Sequence, residues 1–384
     1  MSSGARSALR AFALSRAAVW VVAVYAWIWF APRSQGTSDP YVRTVWLHGD
    51  AAWFVGIAQH GYQRNGGEVF YPLYPLLLAG VARVLDHAWV AAGILVSLAA
   101  SAAGFVLLHR LAARLIGEDG ARRTVLYLAV FPMSLFLQAP YSEALYLLLA
   151  VATFLLAEDA RWLPASIAAG LALLTRIAGV ALLPPLLWMA WRSGDRRRAL
   201  ASLVAVPVLG GLYPLWLQLR LHAPRSEFSN EAGWNRYFSH AGPLGGLWHA
   251  AQAAWAGIEQ LATADATHRY WNGATNADPL YVAAHNLEDV AFFVLFAVLG
   301  VVAWRRLGPP YGLFVLGSLL IPLTFPARGY PLLSMPRFTL VLFPAFIAAA
   351  ALTRDPQRER AVLGLSALLL GLAVVQWSAG YWVS

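Results

Sequence analysis

Asp50 is the residue whose type and setting most plainly suggest chemistry. It opens the segment Trp46-Leu-His48-Gly-Asp50-Ala-Ala-Trp53-Phe54-Val-Gly-Ile57-Ala58-Gln-His60-Gly61-Tyr62. Counted from Asp50, the apolar positions 53, 54, 57 and 58 fall on one helical face. Gly49 and Gly61 bound the run, so the pattern predicts a helix of about three turns, too short to span a bilayer. Trp53 and Phe54 suit a headgroup layer, which predicts that this helix lies flat on the membrane surface. A carboxylate in its first turn can cap the helix or act as a general base toward an attacking hydroxyl. The spacing leaves both roles open. His48 and His60 flank Asp50 and could bind polar groups or tune the base; as isolated loop histidines they could equally be solvated. The next motif, Phe70-Tyr71-Pro72-Leu73-Tyr74-Pro75, carries two prolines that fix where the following helix starts. Tyr62 and Tyr71 could pack a ring there, or belong with Tyr74 to an interfacial aromatic belt.

The elements that must hold these residues are membrane spans. Of 384 residues 59% are hydrophobic and 12% charged, about half the charged share of a soluble chain. Apolar runs recur from Phe12 to Trp377, which predicts an all-α polytopic membrane protein of 10–12 transmembrane helices with two extracytoplasmic loops. The organisation expected is an N-terminal anchor span over 1–30, a first outer loop with the interfacial helix and a short apolar segment over 31–87, a bundle over 88–219, a second outer loop over 220–286 and a C-terminal bundle over 287–384. All 28 basic residues are arginine, and 17 of them fall at the N-terminus and in short turns assigned to the cytoplasmic side. That scheme requires that Tyr71 to Leu85 not cross fully. The net charge of +9 is read as topological anchoring, not as a nucleic-acid footprint.

The run Gly49-Asp50-Ala51-Ala52-Trp53-Phe54 through Ile57-Ala58 to Gly61-Tyr62, then Phe70 to Pro75, resembles the PIG-V-like family of mannosyltransferases. Phe131-Pro132-Met-Ser134 with Tyr141-Ser142-Glu143, Leu174-Thr175-Arg176, and Met335-Pro336-Arg337-Phe338 resemble further motifs of that family, in family order. Two positions depart: Gly49 stands where the family has Trp, and Ala51 where it has Gly. The resemblance implies a GT-C glycosyltransferase, bacterial in type. It would move mannose or a similar hexose, with inversion, from a polyprenyl-phosphate sugar to a lipid-linked or cell-surface glycan on the outer face of the plasma membrane. Asp50 would be the base.

In that frame Arg176, within the apolar stretch Ala168 to Trp188, either contacts the donor phosphate or pairs with Glu143 or another acid. Arg337 is a second phosphate candidate and Arg328 a third, the latter read more readily as an interfacial anchor. Glu143, in the first turn of a helix, either serves the helix dipole or binds the acceptor or a sugar hydroxyl. The chain has no cysteine, and no metal-ligand spacing, Asp-x-Asp signature or glycine-rich phosphate loop stands out. No cofactor is expected, and a divalent metal shared by Asp50 and Glu143 is the alternative. A lipid or solute transporter and a non-catalytic membrane subunit are the competing readings of the whole chain.

Overall fold

A computed structural model describes residues 3–30, 41–223, 233–271, 275 and 277–383. Among these, helix dominates. The first is α1 (Ser3–Phe30), followed by the short α2 (Tyr41–Trp46), α3 (Asp50–His60) and α4 (Leu73–Val84). Then come α5 (Trp89–Ala129), α6 (Glu143–Glu158), α7 (Trp162–Thr175), α8 (Leu183–Trp191), α9 (Arg196–Ser202) and α10 (Ala205–Arg220). The last group is α11 (Pro243–Thr263), α12 (Pro279–Arg306), α13 (Pro309–Thr324), the single turn α14 (Met335–Thr339), α15 (Phe343–Leu352) and α16 (Pro356–Ser378). Five described stretches are long and apolar enough to cross a membrane, namely α1, α5, 196–220, α12 and α16, and five shorter apolar helical segments accompany them. This is an integral membrane bundle.

The bundle has two poles. Arg114 pairs with Asp159 at 2.8 Å and Arg122 with Glu359 at 2.8 Å, while Tyr311 donates to Glu158 at 2.9 Å. The arginine-rich turns therefore meet at one end, as one-sided charge placement requires. Asp50, Ser142, Arg176, Arg337 and Trp382 meet at the other, around one cavity. Helix α4 does not run between the poles. Tyr74, near its start, donates to Gly93 O at 2.9 Å and bonds Ser97 Oγ at 2.8 Å, so α4 packs along the first turns of α5 and leaves the arginine turns on one side.

Several boundaries differ from expectation. The spans expected over 88–109 and 124–139 are the two halves of α5, separated where Gly117 leaves helical geometry at φ +80°, and the second half stops at Ala129. The chain after it, Phe131 to Ser142, is irregular apart from a 3-10 turn at Ser134–Leu137. Arg16 stabilises that irregular stretch from α1 by donating to Ala129 O at 3.0 Å and Ser134 Oγ at 2.9 Å. The second outer loop contains a 21-residue helix, α11, started by Pro243. Its Leu244, Leu247, Trp248, Trp255, Ile258 and Leu261 form one exposed apolar stripe at helical spacing, a period hidden by the polar residues around it. Helix α3 has the expected limits, but Phe54 is 3% exposed and packs on Phe70, Tyr74 and Tyr141. Protein, not lipid, covers that face.

Candidate active site

The local backbone presents Asp50 by means of a glycine. Gly49 occupies the cap position of α3 at φ +60°, a conformation open to glycine. An added Cβ there would collide with the Tyr141 hydroxyl, so the family's tryptophan has no room at this position. Tyr141 Oη accepts from Asp50 N at 3.0 Å and donates to His48 O at 3.3 Å. Asp50 itself makes no capping hydrogen bond: the cap reading is corrected by geometry, because the carboxylate points to Arg337, with Nη1–Oδ2 at 2.6 Å.

Arg337 rides on α14, a single turn that would not hold its place alone. Asp289, buried on α12, accepts from Met335 N at 3.1 Å, and Asn286 donates to Gly329 O at 3.0 Å. Arg236 donates to Phe325 O and Leu333 O, both at 2.9 Å. These three residues clamp the segment 325–337 from both sides. None of them was singled out from the sequence. The signal available was Asn286 and Asp289, polar and three apart, at the head of an otherwise apolar span.

Glu143 opens α6 and is 1% exposed. It pairs with Arg176 and lies 3.4 Å from Arg337 Nε. Arg176 thus adopts the acid-pairing alternative, and also lines the cavity. It does not sit mid-helix: α7 ends at Thr175, Arg176 is extended at φ −158° and ψ 145°, and a 3-10 turn (Ile177–Leu182) leads into α8. Asp50, Arg337, Glu143 and Arg176 form a continuous alternating chain of charge. Burial alone would lower the Arg337 pKa, but Asp50, Glu143 and Tyr141 hold it above its ordinary value. The guanidinium stays charged at any working pH. Burial, then the Asp50 charge, pushes the Tyr141 hydroxyl well up, so it stays protonated as a donor.

The cavity, about 170 Å³, is lined by Asp50, Phe54, Phe70, Tyr71, Ser142, Arg176, Trp234, Arg236, Ser334, Arg337, Phe338 and Trp382 among others. A second, apolar pocket of about 140 Å³ shares Arg176, Ile177, Arg236 and Phe338 with it and continues among Leu319, Pro322, Phe325, Met335 and Leu342. Two guanidiniums therefore stand at the junction between a polar chamber and a greasy one. Arg176, Arg236 and Arg337 bring three guanidiniums to the chamber, with Asp50 beside them and Glu143 beneath.

Of the expected site residues, Asp50, Arg176, Arg337 and Tyr71 line this cavity, and Glu143 lies directly beneath it in contact with both arginines. The others lie elsewhere. Arg328 is exposed and meets the site only through its backbone, which donates to Asn235 O at 2.9 Å. His48 stacks on Trp377 with centroids 4.1 Å apart, and burial lowers its pKa, leaving it a weak base. His60 is exposed on a separate hollow of α3. Tyr62 donates to Phe70 O at 2.6 Å and packs on Tyr213, behind the cavity wall. Their short sequence distance from Asp50 does not bring them to it, because a helix radiates its side chains in all directions. Among the described residues no three His, Cys, Asp or Glu side chains cluster as a metal site.

The fold is that of the GT-C membrane glycosyltransferases. ArnT from Cupriavidus metallidurans, in a crystal structure with bound undecaprenyl phosphate, superposes with a TM-score of 0.53 at 15% identity, covering 92% of this chain and 62% of that one. The oligosaccharyltransferase of Archaeoglobus fulgidus, tethered to an acceptor peptide, gives 0.52 at 14% identity over 97% of this chain and 55% of that one. The chain thus spans less than two thirds of either structure's length. Residues 37–183 match the family described as Mannosyltransferase (PIG-V), a stretch that includes Asp50, Tyr71, Glu143 and Arg176. The resemblance read from the motifs holds over that stretch. Among curated proteins none matches significantly.

Proposed function

We propose that the chain is an inverting glycosyltransferase that moves mannose or a similar hexose from a polyprenyl-phosphate sugar to a hydroxyl of a lipid-linked or cell-surface glycan. The observation that carries this reading is the junction: Asp50 lines a chamber that shares Arg176 and Arg236 with an adjoining apolar pocket. A polyprenyl-phosphate sugar has that same order of parts. Its tail takes the apolar pocket, its phosphate meets the guanidiniums, and its sugar enters the chamber toward Asp50.

In the reaction the acceptor oxygen attacks the anomeric carbon from the face opposite the phosphate. The C–O bond to phosphate breaks, a glycosidic C–O bond forms with inverted configuration, and the hydroxyl proton passes to Asp50. Arg337 holds one carboxylate oxygen, Oδ2, and Oδ1 is left for the acceptor. The leaving phosphate gains a second negative charge, and Arg176 and Arg236 stabilise it as it develops. No resident metal enters this scheme, since Arg337 supplies the positive charge between the two acids. The arginine pole faces the cytoplasm and the chamber the outside of the plasma membrane.

A transporter would place its substrate groups at a helix break near the bundle's midplane. Here the break at Arg176 is a chain reversal at the site pole, since α9 touches both α7 and α8 at the far end. The test is Arg176→Gln. Losing a charge-assisted hydrogen bond costs ~1.5–3 kcal/mol, so KM for the lipid donor should rise by roughly ten- to a hundredfold. Glu143 keeps Arg337 as its partner, so the protein should still fold. An unchanged donor KM would remove the phosphate from this junction.

A further inference from the structure

The last few residues of the chain return to the chamber. In the last turn of α16 Trp377 donates to Val45 O at 2.8 Å; beyond the helix Gly380 turns at φ +86° and Val383 is 3% exposed. Between them the Trp382 carbonyl accepts from Tyr281 Oη at 2.9 Å and lies 3.4 Å from His285 Nε2. This strap is held at three points, and the ring it presents lines the chamber beside Asp50 and Arg337. The Arg337 guanidinium carbon is 5.9 Å from the centre of that ring. A Cβ at Gly49 would lie 3.4 Å from Trp382 Cζ3. The aromatic group that Gly49 gives up next to the acid is thus supplied from the C-terminus.

The chamber's lining falls into two unlike groups. One is the pair of guanidiniums, Arg176 and Arg236, shared with the apolar pocket. The other, which that pocket does not share, includes Trp234, Trp382, Tyr71 and Asp50. We propose that this second group forms a carbohydrate subsite in which Trp382 is the platform for the acceptor's sugar ring. A pyranose offers an apolar C–H face to an aromatic ring and hydroxyls at its rim. The indole N–H of Trp382 is buried and, among the described residues, has no hydrogen-bond partner, so it is the ring face that Trp382 offers to the sugar. A phosphate-bearing acceptor would need a cation here, and Arg337 is already shared between Asp50 and Glu143. The subsite rests on the glycosyltransferase reading for the word acceptor, but its sugar binding is measurable without turnover.

The experiment uses the full chain in lipid nanodiscs with α-mannobiose as probe and saturation-transfer NMR as the readout. Wild type should transfer saturation to the disaccharide. Trp382→Ala should lose it, Trp382→Phe should keep most of it, and Trp255→Ala, whose ring is 64% exposed on α11, should match wild type. In turnover, Trp382→Ala should raise the acceptor KM about tenfold or more, the scale of removing a buried aromatic anchor, with the donor KM unchanged. Equal binding and equal acceptor KM in wild type and Trp382→Ala overturn the subsite. So does the absence of sugar binding in wild type, even when transfer proceeds. Binding that depends on Trp382, with no transfer by wild type, keeps the subsite and overturns the glycosyltransferase reading.

Discussion

Asp50→Asn should abolish sugar transfer almost completely, by at least about a hundredfold, the scale of removing a general base, while leaving the protein folded. Asparagine has the shape of aspartate and can still accept one hydrogen bond from Arg337, which retains Glu143 at 3.4 Å. The bond that anchors α3 runs from the Asp50 backbone N to Tyr141 and does not involve the side chain. Helix α3 takes no capping bond from this carboxylate, so the helix loses only the modest dipole interaction of a first-turn charge. What chiefly disappears is the proton acceptor. Donor binding at Arg176 and Arg236 should persist, so kcat should fall far more than the donor KM changes. Equal transfer by both proteins would make Asp50 a salt-bridge partner without a chemical role, as a non-catalytic subunit would show.

Arg337→Gln should fail differently, losing both transfer and stability. The guanidinium is 7% exposed and stands between Asp50 Oδ2 at 2.6 Å and Glu143 Oε1 at 3.4 Å. Removing it leaves Asp50 and Glu143 without the guanidinium that stands between them. Breaking a buried pair from one side costs about 3–5 kcal/mol, because the surviving charge stays desolvated. A lowered thermal midpoint in detergent, followed by size-exclusion after heating, is the expected result. The triple variant Arg337→Gln, Asp50→Asn, Glu143→Gln should recover much of that stability and none of the activity. A triple variant as unstable as the single one would show that Arg337 acts through packing on Phe136, Tyr141 and Phe338 and not through charge.

How much of this was legible in the sequence depends on the kind of information each feature carries. The membrane class, the polar pole of arginines and the short helix at Asp50 are local or compositional, and the structure has them. Charged residues in apolar surroundings are costly to place, so Glu143, Arg176 and Arg337 stood out individually. Their mutual pairing did not, because Arg337 reaches Asp50 across 287 positions of sequence. Arg236 was invisible for a different reason: it lies in a polar loop, where one more arginine carries no signal. Trp382 likewise looks like any interfacial tryptophan until the strap is seen to fold over the chamber. His48, His60 and Tyr62 show the converse error, in which nearness in sequence stands in for nearness in space.

Many of these assignments depend on one claim, that the sugar arrives on a lipid phosphate. The direct measurement supplies membranes containing the wild-type chain with glycan and lipid extract and one of two labelled donors. One is a polyprenyl-phosphate mannose and the other a nucleotide mannose, with endogenous conversion of the second blocked. The account predicts label in a glycan product from the lipid donor alone, because only that donor has a tail for the apolar pocket. Label from the nucleotide donor, or from neither, would contradict it.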